Sequence, residues 1–499
     1  MSKKKLFTLL LALVTALTMS LAGTAFAVNV WDGTVGTVPA ASNNVITITT
    51  GAQLAGFAAA VNGGTDYAAY TVRLGDDINL DGLSWTPIGI FFKYSSPWAS
   101  ETRNRAFCGI FDGAGHSITG LNVVNNNDNY NDRGETAGLF GYIDFPAVAA
   151  ARSAAKTAAV TPVAKAQADA AALGLVGEAY DRVVAERTDF YTAFGIVPQT
   201  PQTRGVTPVP TGGIVRNLKV YGSVTNTAGQ GAAGVVCWND GLIENCYFEG
   251  AATCSPENRS YVGGICSLLG ANTYVVNCAA KGTFSATGTI FSYAGGIAGY
   301  CFAMNTGYIA NCSVEPNTTV NSHMDTGGVV GGFANQVYNC VSAASSVTVN
   351  GQNPNEAGYF TGGIVGAFGA AYNCYWLQTT GSTTQPGYAV GGGSDASGKR
   401  TAVAALPVGS VHFAPMTLAV NTAGTVTGTN YPTGAAAVTP TLGSWSTTDS
   451  SVASVSSGTV TGYSAGVAAV SAAASSTAWS TALSSTVSVT PECFVTVTQ

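Results

Sequence analysis

Short apolar runs separated by Gly and Asn recur along the middle of this chain at a nearly constant spacing. Asn-Cys occurs at 245–246, 277–278, 311–312, 339–340 and 373–374, with steps of 32, 34, 28 and 34 residues. A Gly-Gly pair followed by aliphatic residues precedes four of these, at 263–264, 295–296, 327–328 and 362–363; the first unit has Ala233-Gly234-Val235-Val236 there. A period of this size marks a stacked-repeat architecture. Each unit reads as three strand-like pieces with Gly and Asn at the turns, for example Gly296–Cys301, Tyr308–Val314 and Thr318–Asn321. One such piece cannot bury its apolar side alone. Stacking the coils buries it and pairs every strand with the next one about 4.8 Å away. The pattern therefore predicts an all-β parallel β-helix (β-solenoid), taken as right-handed. Its bends would carry a ladder of Asn245, Asn277, Asn311, Asn339 and Asn373 joined by side-chain amides. Cys246, Cys278, Cys312, Cys340 and Cys374 would stack inside as small hydrophobes.

The rhythm breaks in two places. Residues 143–212 interrupt the first unit, and Ala147 to Ala193 is rich in Ala, Lys, Glu and Asp at helix-compatible spacing, with Pro162 as a breaker. Helices are expected at 164–175 and 178–192, followed by a Pro/Thr/Gly linker. Such an excursion is either a binding arm or a tolerated surface insertion. After Trp376 the repeats stop. Residues 379–411 read as a final irregular coil and linker, and 412–499 as a separate domain of short alternating strands.

Composition narrows the function classes. Of 499 residues only 9% are charged and 46% hydrophobic, with 62 glycines, which suits an extracellular β-repeat protein and not a disordered chain. Lys3, Lys4 and Lys5, the apolar run Leu6 to Leu21 and the small-x-small site Ala25-Phe26-Ala27 form an export signal over residues 1–27, with Val28 as the expected mature start. Its removal leaves 17 basic against 26 acidic residues. That balance argues against nucleic acid and anionic membranes as partners. No later stretch is apolar enough for a transmembrane segment. The eleven cysteines of an exported chain also invite disulfides among those outside the ladder.

Two stretches carry a family resemblance. Ala137-Gly138-Leu139-Phe140-Gly141 and Gly213-Ile214-Val215-Arg216-Asn217-Leu218-Lys219-Val220 resemble two halves of the GLUG repeat of bacterial surface proteins, and the 245–374 units resemble degenerate copies. Leu74–Leu80, Trp85–Gly89 and Phe107–Leu121 resemble the lead-in to such repeats. The resemblance spans roughly 45–378, within a domain placed at 28–378. Ser444–Val455, Gly458–Gly462, Ser464–Ser471 and Cys493–Val497 resemble the bacterial Ig-like group 2 (Big2) domain. These resemblances imply a β-helix followed by an Ig-like sandwich, with an adhesive or spacer role.

Candidate chemistry is sparse. Gly462-Tyr463-Ser464-Ala465-Gly466 matches a nucleophile elbow, but it lies between two strand patterns and reads as a turn. His116, His323 and His412 form no zinc motif. In residues 213–378 seven acids (Asp240, Glu244, Glu249, Glu257, Glu315, Asp325, Glu356) and four bases (Arg216, Lys219, Arg259, Lys281) show no fixed register, so the paired carboxylates of a glycosidase are not evident. The loop Asn125–Asp132 with Glu135 offers Asp128, Asp132 and Glu135 as weak Ca²⁺ ligands; a solvated loop is the alternative, and Asp76, Asp77 and Asp81 come next. Aromatics from Tyr247 to Trp376 could form an exposed sugar-stacking ladder or sit in the core. The expectation is a secreted or surface-associated, non-enzymatic, adhesin-like protein without cofactors, binding glycans or host or cell-surface proteins. The alternatives are a polysaccharide lyase or hydrolase on a β-helix, and a passive envelope component.

Overall fold

The structure is a computed structural model. It describes residues 30–91, 105–126, 136–144, 213–378 and 382–390 apart from short gaps, then 406–434, 441–475 and 489–499, and Gln167 alone. The expected export signal, the calcium candidates Asp128, Asp132 and Glu135, and, apart from Gln167, the helices expected at 164–175 and 178–192 lie outside the described residues.

Four parallel sheets wrap one core. One regular coil runs Ile214–Arg216, Lys219–Asn226, Gly231–Ala233 and Val236–Asp240, contributing one strand to each of sheets I, II, III and IV in that order. Sheet I has nine strands from Val45–Ile48 to Ala371–Tyr372, sheet II ten, and sheets III and IV six each. The chain is thus a parallel β-helix. Its coils have four strands, not the three pieces expected from the repeat. Tyr308–Val314 is divided at Asn311 into Tyr308–Ala310 and Ser313–Val314, and Asp325–Gly327 is a further strand.

The reason is backbone geometry at the corner between sheets I and II. Asn217, Asn245, Asn277, Asn311, Asn339 and Asn373 all sit at φ 51–54°. Asn tolerates this left-handed conformation far better than β-branched residues do. Each Asn turns the chain, and the following Cys points inward. At the opposite bend, between sheets III and IV, the backbones approach too closely for a side chain. A Cβ on Gly264 would lie 2.4 Å from the Gly296 carbonyl oxygen and 2.6 Å from the Ala280 Cβ.

The main core is a continuous column through the coils. Val215, Ile243, Val275, Ile309 and Val337 of sheet I, and Val220, Phe248 and Phe284 of sheet II, are at most 1% exposed. Each such side chain contributes roughly 1.5–3 kcal/mol. The first coil is closed by helix α1 (Gly51–Asn62), which was not among the sequence expectations. At its start the Thr50 Oγ1 accepts from the Gln53 amide, as in a capping box, and Gln53 Oε1 reaches one residue farther back to accept from the Thr49 amide. Leu54, Phe57 and Val61 seal the end of the column, with Phe57 edge-on to Phe107 at 5.6 Å.

The C-terminal residues form a second β unit. A four-stranded sheet (Met416–Ala419, Glu492–Thr498, Gly466–Ser475, Thr441–Thr447) and a three-stranded one (Ala423–Thr425, Thr459–Gly462, Ala453–Ser456) share a core including Leu418, Val452, Val460, Val470 and Val495. The boundary placed at 412 falls inside a strand, Ser410–Phe413, which pairs with Gly428–Tyr431. This unit does not trail from the last coil; it lies back along the flank of the solenoid. Leu406 packs on Val341 and Ala343, Tyr431 stacks on Tyr247 at 5.2 Å, and Arg73 lies over the Phe494 ring.

Among the described residues no helix is long and apolar enough to cross a membrane.

Candidate functional site

The densest polar chemistry among the described residues lies at the Asn corner, where the C-terminal unit docks. Asn277 Nδ2 donates to Asn245 Oδ1 at 2.6 Å, Asn245 Nδ2 to Asn217 Oδ1 at 3.0 Å, and Asn373 Nδ2 to Asn339 Oδ1 at 3.0 Å. The docked unit reads this column directly. Asn277 donates to the Val411 carbonyl (2.6 Å) and accepts from the Val411 amide (2.8 Å), as a neighbouring strand would. Asn217 donates to Glu492 (2.9 Å), and His412 Nε2 donates to the Asn277 carbonyl at 2.6 Å. Asn311 Nδ2 is buried without a hydrogen-bond partner.

Two charged rows flank the column. On sheet I, Asp112, Arg216 and Glu244 occupy one register position on three successive strands. Arg216 meets Asp112 at 3.0 Å and Glu244 at 3.8 Å. Asp112, fully buried, also accepts from Asn217 and from the Ala114 amide. Burial pushes the Glu244 carboxyl up to about 7 against the pull of Arg216, with Glu492 and Asp112 adding to the rise. On sheet II, Tyr221, Glu249 and Lys281 share a register position. Lys281 pairs with Glu249 at 2.6 Å, and that bond holds the carboxyl below its ordinary range. Farther along, Glu315 accepts from the Thr433 amide and hydroxyl; burial raises its pKa, opposed by these bonds. Burial drives His412 down to about 4, so the ring is neutral at pH 7, which matches a single donated proton at Nε2.

This geometry joins two modules and leaves little room for a substrate. The crevice lined by Asn217, Lys219, Asn245, His412, Phe413 and Glu492 has space for about one water. Glu244, with 30% of its side chain exposed, has its carboxyl raised to about 7.

The charged rows correct the expectation that acids and bases keep no register. The signal was in the chain: Arg216 and Glu244 each directly precede a ladder Asn. Aligning the units on Asn places them on one row, and Asp112 joins it from the lead-in. The docking strand with His412 had no such signal. The five ladder cysteines are 0–3% exposed. Each Sγ lies near main-chain carbonyls, as Cys278 does to Val276 O at 3.3 Å, and burial raises Cys278, Cys312, Cys340 and Cys374 well above an ordinary thiol. No disulfide links any of the eleven cysteines.

The coil aromatics do not make an exposed sugar platform. Tyr247, Phe248, Tyr261, Tyr274, Tyr293, Tyr300, Tyr308, Tyr338 and Trp376 are 0–7% exposed, and only Tyr372 and Tyr375 are half-buried; Tyr359 lies outside the described residues. Ser464 donates to the Ser451 carbonyl in a turn between strands. His116 faces Asp77 at 3.4 Å and helps to lower that carboxyl to about 2, while His323 meets Asn350. Among the described residues no group of His, Cys, Asp and Glu is arranged to hold a metal ion.

No family model and no curated protein matches the chain. Among solved structures, one named "putative immunoglobulin A1 protease" from Bacteroides ovatus is similar over 69% of this chain and 81% of that one, at 17% identity and a TM-score of 0.38. Nothing about activity follows from a likeness that distant.

Proposed function

We propose that this chain is an exported, non-enzymatic interaction protein, a rigid solenoid and a docked β unit that together present surface for binding. The observation that carries this reading is the use made of the polar groups at the Asn corner. Asp112, Arg216, Asn217, Asn277, Glu315 and His412 bond to one another or across the seam, and the crevice beside Asn217 and His412 has room for about one water. Machinery that turns over a substrate needs a site the substrate can enter. The partners proposed are glycans or host or cell-surface proteins, the location extracellular or surface-associated, and the C-terminal unit an Ig-like Big2 spacer, on the strength of the sequence resemblances.

The test is an array of glycans and matrix proteins probed with residues 28–499, repeated with residues 145–212 replaced by a Gly/Ser loop. A specific hit lost with the excursion supports the reading and assigns recognition to it. A retained hit assigns recognition to the coils or the C-terminal unit. Absence of any hit at micromolar protein removes the support for a binder.

Glu244 favours a second reading, a carbohydrate-active enzyme. A carboxyl near 7 beside Arg216 and Asp112 is suited to proton transfer. Polysaccharide cleavage by the wild type that is lost in Glu244→Gln would establish that reading and displace the first.

A further inference from the structure

The Asn column has a break, and the break lies where the C-terminal unit docks. In three rungs the amide of one Asn donates to the side-chain oxygen of the Asn one coil before it: Asn245 to Asn217, Asn277 to Asn245 and Asn373 to Asn339. Asn311 follows Asn277 by one coil, in register and with the same backbone conformation. By the same rule its Nδ2 would donate to Asn277 Oδ1. Instead that nitrogen is buried without a hydrogen-bond partner, on a residue 3% exposed. The Asn277 oxygen accepts from the Val411 amide, at 2.8 Å. The docked strand has displaced one rung of the ladder.

Two more groups lose by the docking. The buried His412 ring keeps Nδ1 without a partner while Nε2 holds the Asn277 carbonyl. Glu492 arrives beside Glu244 and adds to the rise that burial gives that carboxyl. A buried polar group left unpaired forfeits its hydration and gains nothing in return.

The way the unit is held also differs from the way the coils are held. Coil is joined to coil by continuous backbone ladders. The strands of the C-terminal unit pair only with one another, Ser410–Phe413 with Gly428–Tyr431 and the rest within its two sheets. Among the described residues no backbone-to-backbone hydrogen bond crosses the seam. The crossing bonds each use a side chain, those of Asn217, Asn277, Ser313 and Glu315 among them. Parting the seam therefore breaks no sheet on either side.

We propose that the C-terminal unit is a releasable strap, which leaves the flank of the solenoid as a folded body while Asn311 donates to Asn277 Oδ1 and restores the displaced rung. Docking and that rung are alternatives on one oxygen atom. Release also returns His412 to water and parts Glu492 from Glu244. This holds whether or not the binding reading above is right.

The test is residue-resolved hydrogen exchange on the intact chain. The Val411 and Thr433 amides bond across the seam, to Asn277 and Glu315. The Gly409 amide bonds within the unit, to Tyr431, and the Ile309 amide within the coils, to Gln336. Val411 and Thr433 should share one level of protection, about tenfold or more below that of Gly409 and Ile309. Seam amides as protected as Ile309, or Gly409 opening together with them, overturn the proposal, since the seam would then part only by unfolding. Asn311→Gly keeps the positive φ accessible and removes both the unpaired donor and the competing rung. It should raise the protection of Val411 and Thr433 together by about tenfold relative to Ile309. Unchanged or lower protection of the two in that variant also overturns it.

Discussion

His412 shows how one residue can make a module contact depend on pH. Its ring is buried at the seam, with Nε2–H on the Asn277 carbonyl and Nδ1 without a hydrogen-bond partner. A charge there loses hydration and gains no acceptor, so the folded pKa falls from 6.5 to about 4. The unfolded chain binds the proton first. The contribution of His412 is therefore fully present above about pH 6.5 and is lost as pH falls towards 4, by on the order of 3 kcal/mol across that window. Glu244 acts in the opposite sense: a carboxyl raised to about 7 weakens the fold at neutrality and is relieved as pH drops through 7 towards 4.5. The two separate in urea titrations of His412→Gln against wild type. The wild type should be the more stable at pH 7.5, with the gap closing or reversing by pH 4.5. A gap independent of pH would show that the ring is not buried neutral. Nothing at position 412 in the sequence marks this role, because the partner atom is a main-chain carbonyl 135 residues away.

At the scale of elements, the Asn-Cys motif combines a corner and a core. The repeat in the sequence was enough to locate both, because a left-handed corner and an inward thiol recur in every coil for the same steric reasons. It was not enough to count the strands, since Tyr308–Val314 looks like one apolar run until the positive φ of Asn311 divides it. Helix α1 was legible in principle through Thr50-x-x-Gln53, but its small, Gly- and Ala-rich sequence has little of the amphipathic contrast by which a surface helix is recognised. Within the column the rungs are unequal. Asn277 bonds to Asn245 and twice to Val411. Asn277→Leu loses these bonds and takes a strained backbone, and should cost roughly 2–4 kcal/mol in equilibrium unfolding. The same change at Asn373, which is half-buried and near the end of the column, should cost less. Equal costs would mean that the corner conformation alone, and not the docking bonds, sets the value.

For the whole molecule, the central feature is that the C-terminal unit returns along the solenoid. It touches coils far apart in sequence, from Arg73 to Val341, so it ties together repeats that would otherwise contact only their neighbours. Ser313 and Ser410 meet with their hydroxyl oxygens 3.1 Å apart, buried at the middle of this seam. Ser313→Cys with Ser410→Cys should form a disulfide under mild oxidation and raise the Tm. A dithiol that stays reduced, or a bond that forms only between chains, would mean that the unit does not dock this way in solution.

The sequence by itself determined what repeats. A fixed period, Gly where backbones approach, Asn where φ is positive and alternating apolar residues leave a chain few options besides a stacked parallel β-helix, because each rule is local and is applied again in every coil. The tertiary structure alone decided where the second unit sits and which polar groups it meets. Those contacts join residues one hundred and more positions apart, as Asn277 and Val411 or Glu315 and Thr433 do, through surfaces that repeat nothing and so leave no period to read.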